Sequence, residues 1–352
     1  MSSNTKIERD ASKWEVSVRA ELPAETLERY YVKALKQIQK ETKLDGFRPG
    51  NAPASEVLRM HGEGAVLQKA AELAVREELP ILLAKEGIQV VDTPHVTVEE
   101  LGRGKPLVFS ARAPLPPTVE LPDYKNIATQ QAKMDVVETS EEEYQQALTH
   151  LRRERARVTK VELGVLPPEA AEQAQKTEEK DLPELDDAFV QTLGYESMQK
   201  FSDSVRSHLK SEKERHELEK RRAAILEELV KKSKISYPAV FKEYELDDME
   251  ARLKSDLERM QTTFNAYLSQ AKKTRDDLRK EWNDAAEKRS KIRLILGEIA
   301  RKENITADKE TVEKNVEHAR KMYPNANVDA LRANITHALQ NEVVLKFLEE
   351  QK

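Results

Sequence analysis

The chain has 352 residues, enough for two or three domains, and a formal net charge of −5. Charged residues make up 35% of it and aromatic residues only 5%, which favours extended helices with wide solvated faces over one compact globule. The absence of cysteine excludes disulfides, thiol nucleophiles and thiolate metal sites. The polar amino terminus lacks an apolar signal core, and no apolar run is long enough to cross a bilayer. We therefore expect a cytoplasmic protein with no membrane partner.

The first 122 residues predict a small α+β domain. Apolar and polar residues alternate over residues 14–21, which indicates a half-buried strand. A helix is expected from Pro23 to about Lys43, because apolar residues recur there every three or four positions: Leu27, Tyr31, Ala34, Leu35 and Ile38. The further expected elements are a short helix at 54–60, a longer helix from Ala65 that Pro80 kinks or ends, and strands near 95–101 and 107–113.

The outer face of the first helix is basic. It carries Arg29, Lys33, Lys36, Lys40 and Lys43, here called the basic face, which begins two residues after the apolar stripe, about 200° around the helix. Six basic and two acidic residues lie between Arg29 and Arg48, a local positive excess in an acidic chain. A charged outer face usually serves solvation alone. A positively charged face that leads to an arginine-bearing loop favours binding to a polyanionic surface such as structured RNA.

The loop after this helix, residues 46–53, reads Gly-Phe-Arg-Pro-Gly-Asn-Ala-Pro and is here called the docking loop. Two glycines and two prolines within eight residues cannot continue a helix, so the chain must turn with a nearly fixed shape. Phe47 and Arg48 at its tip suit docking, since arginine pairs with phosphate or carboxylate and an aromatic ring stacks or fills a pocket. The alternative is an ordinary interhelical turn with Phe47 folded onto the core.

The docking loop resembles a known family. Gly46, Phe47, Arg48, Gly50 and Pro53 match the Gly-Phe-Arg-x-Gly-x-x-Pro motif at the ribosome-docking tip of bacterial trigger factors. The strands and helices around the loop follow the order of that family's amino-terminal domain. Residues 181–189, Asp-Leu-Pro-Glu-Leu-Asp-Asp-Ala-Phe, resemble the opening of its carboxy-terminal helical domain.

The resemblance implies two partners. The first is the ribosome, through ribosomal protein and rRNA at the exit tunnel, and the second is nascent or unfolded polypeptide. The sequence departs from the family at Pro49 and Asn51, two positions where the family often has lysine. With less charge at the tip, docking is expected to be weaker or tuned to a different ribosome.

The middle of the chain is too short for the family's third domain. Trigger factors usually carry an FKBP-like prolyl isomerase domain of roughly a hundred residues between the two others. Residues 158–181 are too few to bury a core, and alanines are the only apolar residues from 169 to 181, which predicts a solvated linker or a polar helix. We expect a ribosome-binding domain at 1–122, a linker with one helix at 123–181 and a client-binding domain at 182–352. We expect no isomerase activity and no cofactor.

The linker and the last domain carry recognisable helix signals. Residues 124–137 are expected to be extended, and Ser140 with Glu143 predicts a capping box for the linker helix. The last domain is expected to be elongated and mainly α-helical, with arm-like helices. Its signals are a stop at Gly194, a long helix over 197–234, a start at Pro238, and short helices near 307–322 and 328–350 capped by Thr306 and Asn327.

One apolar stripe after Pro238 has two interpretations. It steps by three or four residues from Leu246 to Ala271 and includes Met260, Phe264 and Tyr267. Such a stripe is more often core than ligand surface. If part of it stays exposed, Met260, Phe264 and Tyr267 become candidate client contacts, because pliant methionine and flat aromatic rings suit many unrelated sequences.

No metal or catalytic site is expected. His208, Glu212 and His216 spread over two helical turns and diverge too far to close a tetrahedral site. Residues 102–106 lack the spacing of a phosphate loop and indicate a hairpin turn.

Three functions compete. The first is an ATP-independent, ribosome-associated chaperone that holds nascent chains. The second is a helical chaperone or interaction protein that acts free of the ribosome, which Pro49 and Asn51 favour. The third is a prolyl isomerase, which the length of the middle segment disfavours. The oligomeric state stays open, with a weak homodimer as one option.

Overall fold

The computed structural model describes residues 4–42, 53–131, 138–324 and 326–351. They form two compact units, one from residues 1–122 and 232–308 and the other from residues 123–231 and 309–352. The segment 182–352, expected to be one domain, thus contributes to both units. An α+β amino-terminal part followed by a mainly helical part confirms the predicted fold class.

The elements in chain order are β1 (Asn4–Asp10), β2 (Glu15–Leu22), α1 (Ala24–Glu41), α2 (Ala54–Lys85), β3 (His95–Glu100), β4 (Leu107–Pro114), β5 (Thr118–Glu120), α3 (Tyr124–Gln130), α4 (Glu141–Glu162), α5 (Pro167–Lys176), a short 3₁₀ helix (Glu179–Asp181), α6 (Asp187–Thr192), α7 (Met198–Lys232), β6 (Lys234–Ser236), α8 (Val240–Arg259), α9 (Phe264–Ala271), α10 (Arg275–Glu281), α11 (Asn283–Lys302), α12 (Lys309–Met322) and α13 (Val328–Glu349).

A four-stranded antiparallel sheet of order β1-β2-β4-β3 forms the centre of the amino-terminal part. The central strands β2 and β4 alternate buried and more exposed residues, so that Val16, Val18, Phe109 and Ala111 enter the core. Strand β1 was not predicted. It is an edge strand in which Ile7 is the single apolar residue, so its sequence lacks the alternation that marks the other strands.

Helices α1 and α2 pack against each other and contribute to the same core as the sheet. The predicted stripe on α1 is confirmed, with Leu27, Tyr31 and Ala34 buried. Helix α2 is interrupted at Gly62, whose positive φ of 79° matches the predicted break between its two parts. The helix continues past Pro80 to Lys85, so the expectation that Pro80 could end it is wrong. Burial of neighbouring apolar side chains on α2 outweighs the backbone hydrogen bond that proline cannot donate.

The helices α8 to α11 belong to the same unit as the sheet. Strand β6 pairs with β5, and α8 packs against α11 with Leu246 and Ile295 buried. The apolar stripe from Leu246 to Ala271 predicts a single helix after Pro238, but the structure has two helices there, so that prediction is wrong. Helix α8 ends at Arg259, Gln261 adopts a positive φ of 57°, and the Thr263 hydroxyl caps α9 by accepting from the Ala266 backbone N–H.

The second unit begins with α3, α4 and α5, where the sequence predicted one helix followed by either a solvated linker or a polar helix. Residues expected to be extended form α3, which Asp123 caps by accepting from the Asn126 backbone N–H. The predicted capping box of Ser140 and Glu143 at the start of α4 is confirmed. Helix α5 is the predicted polar helix, and its alanines pack on α4 with Ala156, Ala174 and Leu182 in one cluster. Alanines four residues apart thus form a sufficient apolar face for this contact.

The longer helices of the second unit agree more closely with expectation. Gly194, with a φ of 89°, follows α6, and α7 covers nearly the predicted range. Asn327 caps α13, as predicted, but α12 begins at Lys309, which places Thr306 two residues too early to cap it. Arg222 of α7 ion-pairs with Glu342 and Glu349 of α13.

Candidate functional site

In the sequence, the docking loop connects α1 and α2, two helices that pack against each other. Residues 43–52, which include Lys43, Gly46, Phe47, Arg48 and Gly50, lie outside the described residues. On one side, the Thr42 hydroxyl donates to the Ile38 carbonyl at 2.6 Å and lies 2.9 Å from His61 Nε2. On the other side, Pro53 directly precedes α2 in an extended conformation. The chain is therefore fixed at Thr42 by contacts with both helices, and it enters α2 directly after Pro53.

The described part of the basic face points to solvent. Arg29, Lys33, Lys36 and Lys40 are all exposed, whereas the apolar stripe of α1 is turned toward the core. The helical spacing thus places these four side chains on one accessible surface that runs toward the docking loop.

Lys33 is already engaged within the molecule. Its Nζ lies 2.9 Å from Glu77 Oε2 on α2 and 4.7 Å from the centre of the Tyr30 ring. The hydrogen bond from Lys33 lowers the pKa of Glu77. Lys36 and Lys40 make no ion pair with the residues the structure describes. Lys36 and Lys40 are therefore better placed than Lys33 to meet an external anion.

The candidate client contacts lie around the turn between α8 and α9. Met260 is 73% exposed in this turn, while Phe264 and Tyr267 are half-buried one helical turn apart on α9. Lys254 Nζ lies 4.9 Å from the centre of the Phe264 ring, and no residue of α9 is buried. The predicted stripe therefore divides: Leu246 and Leu257 of α8 join the core, and its last part remains accessible.

A second exposed apolar site was missed in the sequence. Leu163 and Leu166, between α4 and α5, are 79% and 69% exposed. Gly164, with a φ of 92°, makes the turn, and Pro167 begins α5. The signal was present as two leucines around a glycine, followed by two prolines, within a strongly polar segment. We call this pair the hairpin tip.

The remaining sequence expectations concern chemistry. Residues 102–106 form the turn between β3 and β4, with Gly104 at a φ of 72°, which confirms the hairpin. His208, Glu212 and His216 are exposed, and the described residues hold no group of three or more side chains placed to bind a metal ion. Within that same part of the chain, no helix is long and apolar enough to cross a membrane.

Comparisons with known proteins agree with this arrangement at both ends of the chain. Residues 3–151 match the family model described as "Bacterial trigger factor protein (TF)", and residues 197–352 match "Bacterial trigger factor protein (TF) C-terminus". The trigger factor of Caldicellulosiruptor bescii is 26% identical over 393 aligned positions, which cover 92% of this chain and 88% of the relative. The trigger factor of Thermus thermophilus is 28% identical and covers 90% of each chain.

A solved structure, "Promiscuous Substrate Recognition in Folding and Assembly Activities of the Trigger Factor Chaperone", supports the fold. The likeness has a TM-score of 0.54 at 15% identity and covers 99% of this chain and 100% of the other. With family models matching both its amino-terminal and its carboxy-terminal part, this chain belongs to the bacterial trigger factor family of chaperones.

Proposed function

We propose that this member of the trigger factor family is an ATP-independent, ribosome-associated chaperone that acts in the cytoplasm. It docks near the exit tunnel through the docking loop and the basic face, and it holds nascent polypeptides on exposed apolar side chains. The observation that carries this proposal is the match of both ends of the chain to the family, with the docking motif intact at Gly46, Phe47, Arg48, Gly50 and Pro53.

Electrostatics support the docking surface. Arg29, Lys36 and Lys40 lie exposed on the helix that leads into the docking loop, and rRNA presents a dense array of phosphates. Lysine and arginine that neutralise phosphates release counterions, so the affinity for the ribosome should fall steeply with salt. Phe47 and Arg48 then supply the specific contact, because an arginine and an aromatic ring are the side chains most often responsible for interface affinity.

Two separate apolar sites support client binding. The first is Met260 with Phe264 and Tyr267, and the second is the hairpin tip. Burial of apolar surface contributes about 25 cal/mol per Å², so each small site gives weak and reversible affinity. Weak binding at several sites lets a chaperone hold an unfinished chain and release it again.

Co-sedimentation with ribosomes tests the docking surface. We expect the wild-type chain to pellet with ribosomes, the Phe47→Ala/Arg48→Ala variant to stay in the supernatant, and Lys36→Glu/Lys40→Glu to bind much more weakly. Lys85→Glu/Lys105→Glu changes the charge equally at two exposed lysines away from the basic face and should bind normally. Ribosome binding by the Phe47→Ala/Arg48→Ala variant at the wild-type level would show that the docking assignment is wrong.

Aggregation suppression tests the client sites. Met260→Ser/Phe264→Ser/Tyr267→Ser and Leu163→Ser/Leu166→Ser should each weaken protection of a denatured client protein, and their combination should weaken it most. These side chains are exposed or half-buried, so the fold should tolerate the changes. Full protection by the combined variant would exclude both sites.

We also propose that the protein has no prolyl isomerase activity. Residues 152–196 lie outside both family matches, and in this interval the described elements are the end of α4, α5, a short 3₁₀ helix and α6. The alignment with the C. bescii relative spans 393 positions, more than the 352 residues of this chain, so that relative carries residues with no counterpart here. A proline-limited refolding assay should show no acceleration, and a clear acceleration would overturn this proposal. The weak homodimer remains a prediction for sedimentation analysis.

A further inference from the structure

A groove lies between α2 and β3 in the amino-terminal part. Its volume is about 1030 Å³, at the upper end of the range for clefts that hold ligands. Its apolar lining includes Ala71, Val75, Leu79 and Leu83 of α2 and Val96 and Val98 of β3. The four α2 residues are spaced by four and at most 7% exposed, so they form one continuous stripe along the floor of the groove.

Strand β3 is an outer strand of the sheet. Val98 pairs in register with the buried Phe109 and thus belongs to the core side of the sheet, yet it is 41% exposed. Along its outer side, β3 makes no backbone hydrogen bond to any residue in the described ranges. An open strand edge of this kind is a template for another extended chain.

The lining of the groove is mainly apolar, with three charged residues. One is the exposed Arg76 of α2, and the other two are acidic residues that each have a basic partner. Glu72 Oε2 lies 2.9 Å from Lys69 Nζ, and Glu99 Oε2 lies 2.7 Å from Arg19 Nε. Because these carboxylates are paired, the groove offers little attraction to a strongly basic segment.

From this juxtaposition of an apolar groove and an open strand edge, we propose that the groove docks an extended apolar segment of a client polypeptide, which adds to β3 as a fifth strand. The inference rests on the proposed chaperone function and specifies how one class of client segment is held. In an added strand, alternate side chains face the groove and its stripe on α2, about 7 Å apart along the segment. The ladder between β3 and β4 is irregular between Val98 and Glu100, so regular pairing is limited to His95–Val98 and the bound segment is short.

This mode of binding suits a chaperone. Backbone hydrogen bonds to a strand edge do not depend on the client's side chains, and the groove requires only that alternate residues be apolar. A segment already committed to a helix or to a folded sheet cannot offer its backbone in this way. The site therefore distinguishes unfolded from folded clients without recognising a particular sequence.

Peptides with blocked amides test the added strand. The probe is a fluorescein-labelled octapeptide of alternating leucine and serine, measured by anisotropy with the full chain. N-methylation of every second residue removes the backbone N–H donors of those residues and leaves the side chains in place. Two such peptides are compared, one methylated at the leucines and one at the serines. We expect methylation of one set to weaken binding roughly tenfold and methylation of the other set to change it by no more than about twofold, since only alternate amides face β3. Equal affinities of both methylated peptides would overturn the inference.

A pair of variants locates the site. Val98→Lys places a charge in the groove and should lower peptide affinity by about tenfold. Thr97→Lys introduces the same charge one residue earlier, at an exposed position on the opposite face of β3, and should bind like the wild type. Equal affinity of the two variants would place the peptide elsewhere.

Aggregation suppression, measured on the same samples, separates this inference from the proposed function. If the wild type suppresses aggregation but the Val98→Lys variant binds the octapeptide normally, the groove assignment is wrong and the chaperone function stands. If the wild type neither suppresses aggregation nor binds the peptide, both proposals fall together.

Discussion

The sheet region, residues 4–114, and the helical region, residues 240–302, are stabilised by different interactions. Among the described residues of the sheet region, the buried side chains are apolar apart from Thr26 and Thr42. In the helical region Glu245 and Glu250 are buried, and four arginines reach them: Arg275 and Arg279 pair with Glu250, and Arg289 and Arg293 pair with Glu245. A region that packs partly through ion pairs can leave apolar side chains such as Met260 accessible. The sheet region is thus packed through apolar burial, whereas the packing of the helical region depends partly on charge.

Truncation of the sheet core should have the largest effect. Phe109 is fully buried, so Phe109→Ala should lower the free energy of unfolding of the sheet region by about 4 kcal/mol. In a Trp282→Phe background the fluorescence of Trp14 reports on this region, and its change during urea unfolding gives the free energy of unfolding. Val32→Ala removes a half-exposed side chain from α1 and should change the stability by less than about 0.5 kcal/mol. A Phe109→Ala effect as small as that of Val32→Ala would contradict the assigned core.

Removal of one buried carboxylate should have an intermediate effect on the helical region. Burial alone would raise the pKa of Glu250, but hydrogen bonds from Lys254, Arg275 and Arg279 outweigh it and lower the pKa to about 2. Glu250→Gln should therefore lower stability by about 2 kcal/mol at pH 7. Trp282 fluorescence in a Trp14→Phe background reports on this region.

The lowered pKa of Glu250 also determines how its contribution to stability depends on pH. Because the folded-state pKa of Glu250 lies below its ordinary value of 4.5, its stabilisation is complete above pH 4.5 and is lost as the pH falls toward 2. The difference between wild type and Glu250→Gln should therefore shrink over that interval. Glu258→Gln alters an exposed carboxylate of the same helix and should match the wild type throughout. A difference that stays constant from pH 7 to pH 2 would exclude an ionised Glu250 as its source.

Loss of a helix cap should have the smallest effect. The Thr274 hydroxyl accepts from the Asp277 backbone N–H, and the Asp277 carboxylate accepts from Thr274 in return, which makes a capping box at the start of α10. Thr274→Ala should lower the stability of the helical region by about 1 kcal/mol. Ser269→Ala, at an exposed position inside α9, should be neutral or slightly stabilising. Loss of stability in Ser269→Ala equal to that in Thr274→Ala would exclude the cap as the cause.

The sequence predicted elements whose local pattern and tertiary packing agree. Helix α1 and strands β2 and β4 have clear periods because one face of each is buried. Strand β1 was missed because an edge strand with two polar faces has no such period. The end of α8 was missed because Gln261, rather than glycine, takes the left-handed conformation there.

The functional sites also had a part that the sequence predicted and a part that it did not. Helical spacing was sufficient to place Lys36 and Lys40 on an exposed face, but it gave no sign that Glu77 of another helix would engage Lys33. The groove beside β3 could not be predicted, since it depends on which strand lies at the edge of the sheet and on how far α2 covers it.

The pairing of β5 with β6 has a consequence for the synthesis of the chaperone itself. Glu120 and Lys234 are neighbours in the ladder, yet more than a hundred residues separate them in the chain. At translation rates of 5 to 20 residues per second, β5 must wait roughly 5 to 20 s before its partner strand exists. Closing a loop of this length costs about 4 kcal/mol of chain entropy, which a three-residue ladder offsets only together with the packing of α11 on β5. The four-stranded sheet can therefore fold early during translation, whereas the first unit is completed only after α11 has been synthesised.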